Sequence, residues 1–326
     1  MTASFATALT RQLNIELPII GGAMYPCSNP ELVAAVSEAG GIGVLQPISL
    51  TYVHGYDYRQ GIRYMRSLTA KPLGMNALIE QSSKTYHERM VKWIDIAMEE
   101  GVRFFVTSLG NPRWVVDRVA SAGGVVYHDV TERKWALKGR DAGVHGLIAV
   151  NSEAGGHAGP RDPRRLHDEL ADLGLPLVCA GGVSEARGFR AALDIGYAGV
   201  QIGTRFIATT ECSAHEDYKK AIIDAAASDI VLTERLTGVP VAVIRNDYVQ
   251  RIGTKAGPIA RWMLRGRKTK HWMRTFYALT SLRKLKHSLN KAGGRDDYWQ
   301  AGKSVAGIDE VLPVAEVIRR MTSATE

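Results

Sequence analysis

The group best suited by type to move a proton is His157, which ends the run Glu153-Ala154-Gly155-Gly156-His157. An imidazole ordinarily titrates near pH 6.5, so it can take or release a proton at working pH, and flanking glycines let a ligand approach it. Read alone, the residue is more simply a solvent-exposed loop histidine. Two further runs, Cys179-Ala180-Gly181-Gly182-Val183 and Gln201-Ile202-Gly203-Thr204-Arg205, offer backbone rather than acid or base. Gly181, Gly182 and Gly203 permit close approach to main-chain N–H groups, and the Thr204 hydroxyl adds a donor, which is the equipment of a phosphate site. Either glycine loop alone is explained by a tight turn; two at consecutive strand ends support one another. Asn76, in Gly74-Met75-Asn76, carries an amide that donates and accepts as a planar heterocycle requires, or else it caps a turn.

Each of these runs follows a short apolar stretch and precedes a helical pattern, so the loops fall at the carboxyl ends of successive strands. Parallel barrels keep their chemistry there, with phosphate commonly held after strands seven and eight. Strands are expected at 17–24, 42–45, 73–78, 103–108, 125–129, 147–151, 177–180 and 199–202, separated by helical segments such as 30–39, 84–101, 112–122 and 185–196. Regular strand–helix alternation of this length favours an α/β fold of the (β/α)8 TIM-barrel kind over an open doubly wound sheet. Gly21-Gly22-Ala23-Met24-Tyr25 after the first strand is no dinucleotide fingerprint.

Beyond the eighth strand, 208–300 reads as helical without further strands, and 307–321 as a closing helix with Ile308, Val311, Leu312, Ala315 and Ile318 on its apolar face. The expected organisation is a barrel from 1–207 and 301–326, with a basic helical insertion, 208–300, over its mouth. Within the insertion, 248–295 holds thirteen Lys or Arg and no Asp or Glu, more than the whole net charge of +8. Arg261, Arg265, Arg267, Lys268 and Lys270 could engage a phosphate-bearing partner, or form a solvated face. The interleaved Trp262, Trp272, Phe276 and Tyr277 admit a nucleic-acid or membrane-surface reading, but no nucleic-acid motif accompanies them and neither partner is expected. With 326 residues, 45% hydrophobic, the chain can bury a full core. It has no apolar run of the roughly 18 residues a membrane span needs, so a cytoplasmic protein is expected. Cys27, Cys179 and Cys212 are too scattered for a disulfide framework or zinc; Cys179 reads as core and Cys27 as a residue that could line a site.

The strings EAGGH at 153–157, CAGGV at 179–183 and QIGTRFIATTEC at 201–212, with PIIGGAM and AGGIGVL near the N-terminus, resemble the nitronate monooxygenase family, formerly the 2-nitropropane dioxygenases. Similarity in motif order runs over about 12–235. The resemblance implies an FMN-containing barrel in which Gly181, Gly182, Gly203 and Thr204 hold the flavin phosphate. Ala23, Met24 and Asn76 would lie against the isoalloxazine, with Gly155 and Gly156 also at the cofactor, and His157 would be the acid/base beside it. The implied reaction is oxidation of small alkyl nitronates, of the propionate 3-nitronate type, by molecular oxygen. Similar flavoproteins instead use NAD(P)H to reduce enoyl thioesters of CoA or acyl-carrier protein, or quinones, and that alternative stays open, as does a homodimer. The chain departs from the family where Val150-Asn151 replaces a usual Gln-Gly pair, and where His128-Asp129 stands at a strand end that often carries lysine or small polar residues.

Overall fold

In the computed structural model, residues 5–80, 84–235, 239–255 and 298–323 are described. Eight parallel strands form a closed barrel: β1 Ile19–Gly21, β2 Ile42–Leu45, β3 Leu73–Leu78, β4 Phe104–Ser108, β5 Val125–Val130, β6 Gly146–Val150, β7 Leu177–Ala180 and β8 Gly199–Ile202. β8 closes on β1 in the register Ile19↔Val200 and Ile20↔Gln201. Helices α1 Ala8–Leu13, α2 Pro30–Glu38, α3 Tyr58–Leu68, α4 Lys84–Glu99, α5 Arg113–Val119, α6 Arg133–Asp141, α7 Pro163–Leu170 and α8 Ala186–Ile195 surround or cap it. The fold is the TIM barrel expected from the alternation.

Alternation along each strand sorts side chains between two apolar layers. Ile20, Ile42, Val44, Phe104, Val106, Tyr127, Ile148 and Val178 fill the lumen, while Val126, Val130, Leu147 and Val200 face the helices. Each such fully buried side chain contributes about 1.5–3 kcal/mol. At the amino end, α1 plugs the barrel with Leu9 and Leu13, and the Tyr127 hydroxyl reaches down to donate to Gln12 Oε1 at 2.9 Å. A filled and stoppered lumen leaves the carboxyl-end mouth as the place for ligands. Helix α2 comes closest to the sheet at Gly43, where a Cβ would lie 2.0 Å from the Val33 carbonyl oxygen. No other residue fits that crossing.

After β8 the structure corrects the sequence reading. The short helix α9 Thr204–Ile207 and helix α10 Glu216–Asp224 are followed by strands β9 Ile230–Thr233 and β10 Val241–Ile244, paired antiparallel. The segment is therefore not helical throughout: it holds two tetrads rich in β-branched residues, each too short to register as an alternating pattern. The closing helix spans Val314–Thr322 rather than 307–321. Pro313 is its N-cap, which leaves Ile308 and Leu312 in the stretch before it, where Leu312 bridges to Thr209. Cys27 does not line the mouth; it is buried with Cys212, whose Sγ lies 3.6 Å from the Cys27 carbonyl oxygen. The basic side chains from Arg261 to Lys270 and the four aromatics among and beyond them lie outside the described residues. Among the described residues, no helix is long and apolar enough to cross a membrane.

Candidate active site

The loop that carries His157 is held on several sides. At the end of β6 the fully buried Asn151 donates from Nδ2 to the Gly181 carbonyl at 3.1 Å and accepts from the Glu153 N–H at 2.8 Å. It thereby ties the loop to the turn after β7. Gly159 N–H donates to the Asn151 carbonyl at 3.2 Å and Ser152 N–H to that of Arg161 at 2.7 Å, which closes the loop on itself. From β10, Ala242 N–H donates to the Gly156 carbonyl at 2.7 Å, and from the C-terminal segment Lys303 N–H donates to that of Glu153 at 2.9 Å. The backbone is fixed while the His157 ring has no hydrogen-bond partner among the described residues. His157 is an exposed residue at the barrel's carboxyl end, yet enough protein surrounds it that desolvation holds its pKa below the ordinary histidine value.

The turns after β7 and β8, where a phosphate cradle is expected, are tight and built on glycine. Gly181 and Gly182 have φ of 118° and 82°, a region that favours glycine. A Cβ on Gly181 would meet Asn151 Oδ1 at 2.4 Å and the Ala154 nitrogen at 2.5 Å, so the turn is as tight as backbone permits. Gly203 precedes α9, whose first N–H groups lack helical acceptors. The buried Thr204 hydroxyl accepts from the Gly302 N–H at 3.0 Å and keeps its own proton to donate. Gly302 joins the two sectors, since a Cβ there would lie 2.5 Å from the Glu153 carbonyl oxygen and 2.7 Å from the Gly155 nitrogen. Met24 packs its sulfur on Gly203, 3.3 Å from where a Cβ would stand, so the β1 and β8 loops meet.

The residues singled out by sequence thus gather in two joined sectors: Met24, Gly203 and Thr204 in one, Gly155, Gly156, Gly181 and Gly182 in the other. Ala23, half-buried, sits on the β1 loop beside Met24. Asn76 stands on β3 in register with Val106 and has no side-chain hydrogen bond among the described residues. A flavin phosphate fits the glycine turns and the start of α9. One group opposes it: a Glu153 carboxylate oxygen lies 2.0 Å from the position of a Gly182 Cβ. An anion bound there shares the turn with a negative charge.

Three features escaped the motif reading. Asn151, apparent only as a departure from a familiar pair, is the link between the two turns. Gly302 lies far along the chain from every motif, and no signal in its neighbourhood points to Thr204. The pair His128-Asp129 divides across the sheet. His128 is buried against α6, its Cδ2 3.2 Å from a would-be Gly139 Cβ, with Nδ1 2.9 Å from Thr107 Oγ1; desolvation lowers its pKa to about 4. Asp129 alternates to the lumen side, one step above Tyr127 toward the mouth. At the neighbouring strand end Leu109 takes φ 64° and leaves its side chain 62% exposed, the kind of unfavourable backbone that clusters at functional sites.

The nitronate monooxygenase family pattern matches residues 6–324. A Staphylococcus saprophyticus protein named probable nitronate monooxygenase is 30% identical, the match covering 76% of this chain and 81% of that protein. A Mycobacterium tuberculosis protein named (3aS,4S,5R,7aS)-5-hydroxy-7a-methyl-1-oxo-octahydro-1H-indene-4-carboxyl-CoA dehydrogenase is 29% identical over 90% of this chain and 81% of its own. The structure of FabK from Thermotoga maritima superposes with a TM-score of 0.78 at 29% identity, covering 97% of this chain and 94% of that one.

Proposed function

The chain belongs to the nitronate monooxygenase family and is a flavin-dependent oxidoreductase, and from that premise we propose that it binds FMN and oxidises small alkyl nitronates with molecular oxygen. The observation that carries this reading is the His157 ring at the barrel mouth, without a hydrogen-bond partner among the described residues, on a loop whose backbone is fixed. FMN, when bound, supplies the electron-accepting chemistry. Gly181, Gly182, Gly203 and Thr204 would hold its phosphate, Gly155 and Gly156 would permit close approach, and Ala23, Met24 and Asn76 would contact its ring system.

The remaining chemistry falls to His157. With its pKa lowered, the imidazole is neutral at physiological pH. In that state it donates one hydrogen bond to an anionic nitronate oxygen, or accepts the α-proton of a neutral nitroalkane at its free nitrogen. A second reading is NAD(P)H-dependent reduction of an enoyl thioester or a quinone. It is favoured by similarity, at nearly the same identity, to proteins named for a CoA thioester dehydrogenase and for FabK.

The experiment mixes flavin-loaded protein anaerobically with propionate 3-nitronate in one cell and with NADH or NADPH in another, following the flavin spectrum. Reduction by nitronate alone supports the first reading. Bleaching by nicotinamide, with nitronate inert, moves the assignment to the second.

A further inference from the structure

The lumen-facing end of β5 carries an acid that neither reading uses. Asp129 sits where the strand opens into the mouth: Tyr127, two residues earlier, is in the lumen layer, while Val126 and Val130 are in the outer layer. One carboxylate oxygen, Oδ1, is buried and has no hydrogen-bond partner among the described residues. A buried carboxyl oxygen is costly to leave unsatisfied, and one held so without structural partners is poised for a ligand.

The surroundings explain its protonation state. Its register partner on β6 is Ile148, β4 ends at Ser108, Asn76 stands on β3, and the loop after β6 carries Glu153 and His157 at the same end of the barrel. Lys138 on α6 acts on His128 at the back of the strand. Burial alone pushes the Asp129 carboxyl up to about 7, with no charged neighbour contributing. A carboxyl that keeps its proton near neutrality is a hydrogen-bond donor, which a carboxylate is not.

We propose that the Asp129 carboxyl is a second substrate-binding group at the mouth, donating a hydrogen bond to an oxygen of the substrate: a nitro or nitronate oxygen in the first reading, a carbonyl oxygen in the second. The inference rests on the mouth being the substrate site of a flavin enzyme. It does not depend on which substrate is oxidised or reduced. A bound oxyanion then requires one proton on Asp129, so affinity falls as pH rises through the range where the carboxyl ionises.

The test uses flavin-loaded full-length protein and nitrate, a planar oxyanion with the shape of a nitronate head, with affinity read from the flavin difference spectrum between pH 6 and 8.5. For the native protein, Kd is expected to be flat at the acid end and to rise toward tenfold per pH unit above about 7. Asp129→Asn retains a donor without the titration, so its Kd is expected to stay flat over the same range. The slope is read above about pH 7, and burial moves the His157 imidazole further below that range from its ordinary value. Asp129→Ser serves as a second variant if the amide disturbs folding. A pH-independent Kd in the native protein, or an unchanged slope in either variant, overturns the role of Asp129 alone. Failure of nitrate to perturb the flavin at any pH overturns the mouth as the oxyanion site, and this inference with it.

Discussion

Replacing His157 by asparagine separates proton removal from simple hydrogen bonding, because the amide still donates but cannot take up a proton at working pH. A positioned general base contributes about 10²–10⁴-fold, or roughly 3–5 kcal/mol of barrier. His157→Asn should therefore lower kcat/KM for neutral nitroethane by that factor. Ethylnitronate has already lost its α-proton, so only a hydrogen bond is altered, about 0.5–1.5 kcal/mol and no more than roughly tenfold. The pH profile carries a second signature. Desolvation holds the ring below the ordinary histidine value, which favours the base form at pH 7, and native turnover of nitroethane falls only as pH drops through the lowered pKa. That acid limb should vanish in the variant. Oxygen uptake with both substrates from pH 5 to 8, at equal flavin content, provides the assay. Equal losses on the two substrates, or an acid limb that survives the substitution, would refute base catalysis by His157.

Gly181→Ala forces a side chain into φ 118° and against Asn151 and Ala154, and should cost about 2 kcal/mol or more by chemical denaturation, together with flavin retention. Glu153→Gln removes the negative charge packed on the Gly182 turn without touching the backbone bonds of residue 153. For charges roughly 6 Å apart at an effective dielectric of about 40–80, this should tighten FMN by about threefold to tenfold in a flavin titration. His128→Gln should change the acid stability profile. With the folded pKa lowered to about 4, the unfolded chain binds a proton below pH 6.5 that the folded one refuses, so native stability falls as pH drops through that window, by about 3 kcal/mol at most. Asp129 works in the opposite sense over part of the same range, because its raised pKa lets the folded chain hold a proton that the unfolded one releases. The His128 effect is thus read as the difference between variant and native denaturation curves from pH 7 to 4.

The barrel was legible because its strands are buried on both faces and so read as continuous apolar runs, each cut off by a glycine or polar loop. β2, β3, β7 and β8 begin and end where that pattern places them. β1 is shorter than its apolar run: Gly22 N–H still donates to the Ile202 carbonyl at 2.9 Å, after which the chain turns through Ala23 and Met24 into a loop. Legibility fails where structure depends on contacts remote in sequence. β9 and β10 are only four residues each and make sense as a pair, and the staple from β10 to Gly156 is invisible until both are folded. The same holds for Gly302, which meets Thr204 across 98 positions. The site divides likewise. The glycine turns after β7 and β8 are marked by residue type alone, whereas Asp129 needed strand alternation and burial to be told apart from its neighbour His128.

The most direct test of the central claim, a flavin held by its phosphate on the turns after β7 and β8, is a spectroscopic titration of the deflavinated protein with FMN and, separately, with riboflavin. The two ligands share the ring system and differ in the phosphate. FMN is expected to bind at least about a hundredfold tighter, because several backbone N–H groups and the Thr204 hydroxyl each add a charge-assisted hydrogen bond. Equal affinity for the two flavins, or no binding of either, would contradict it.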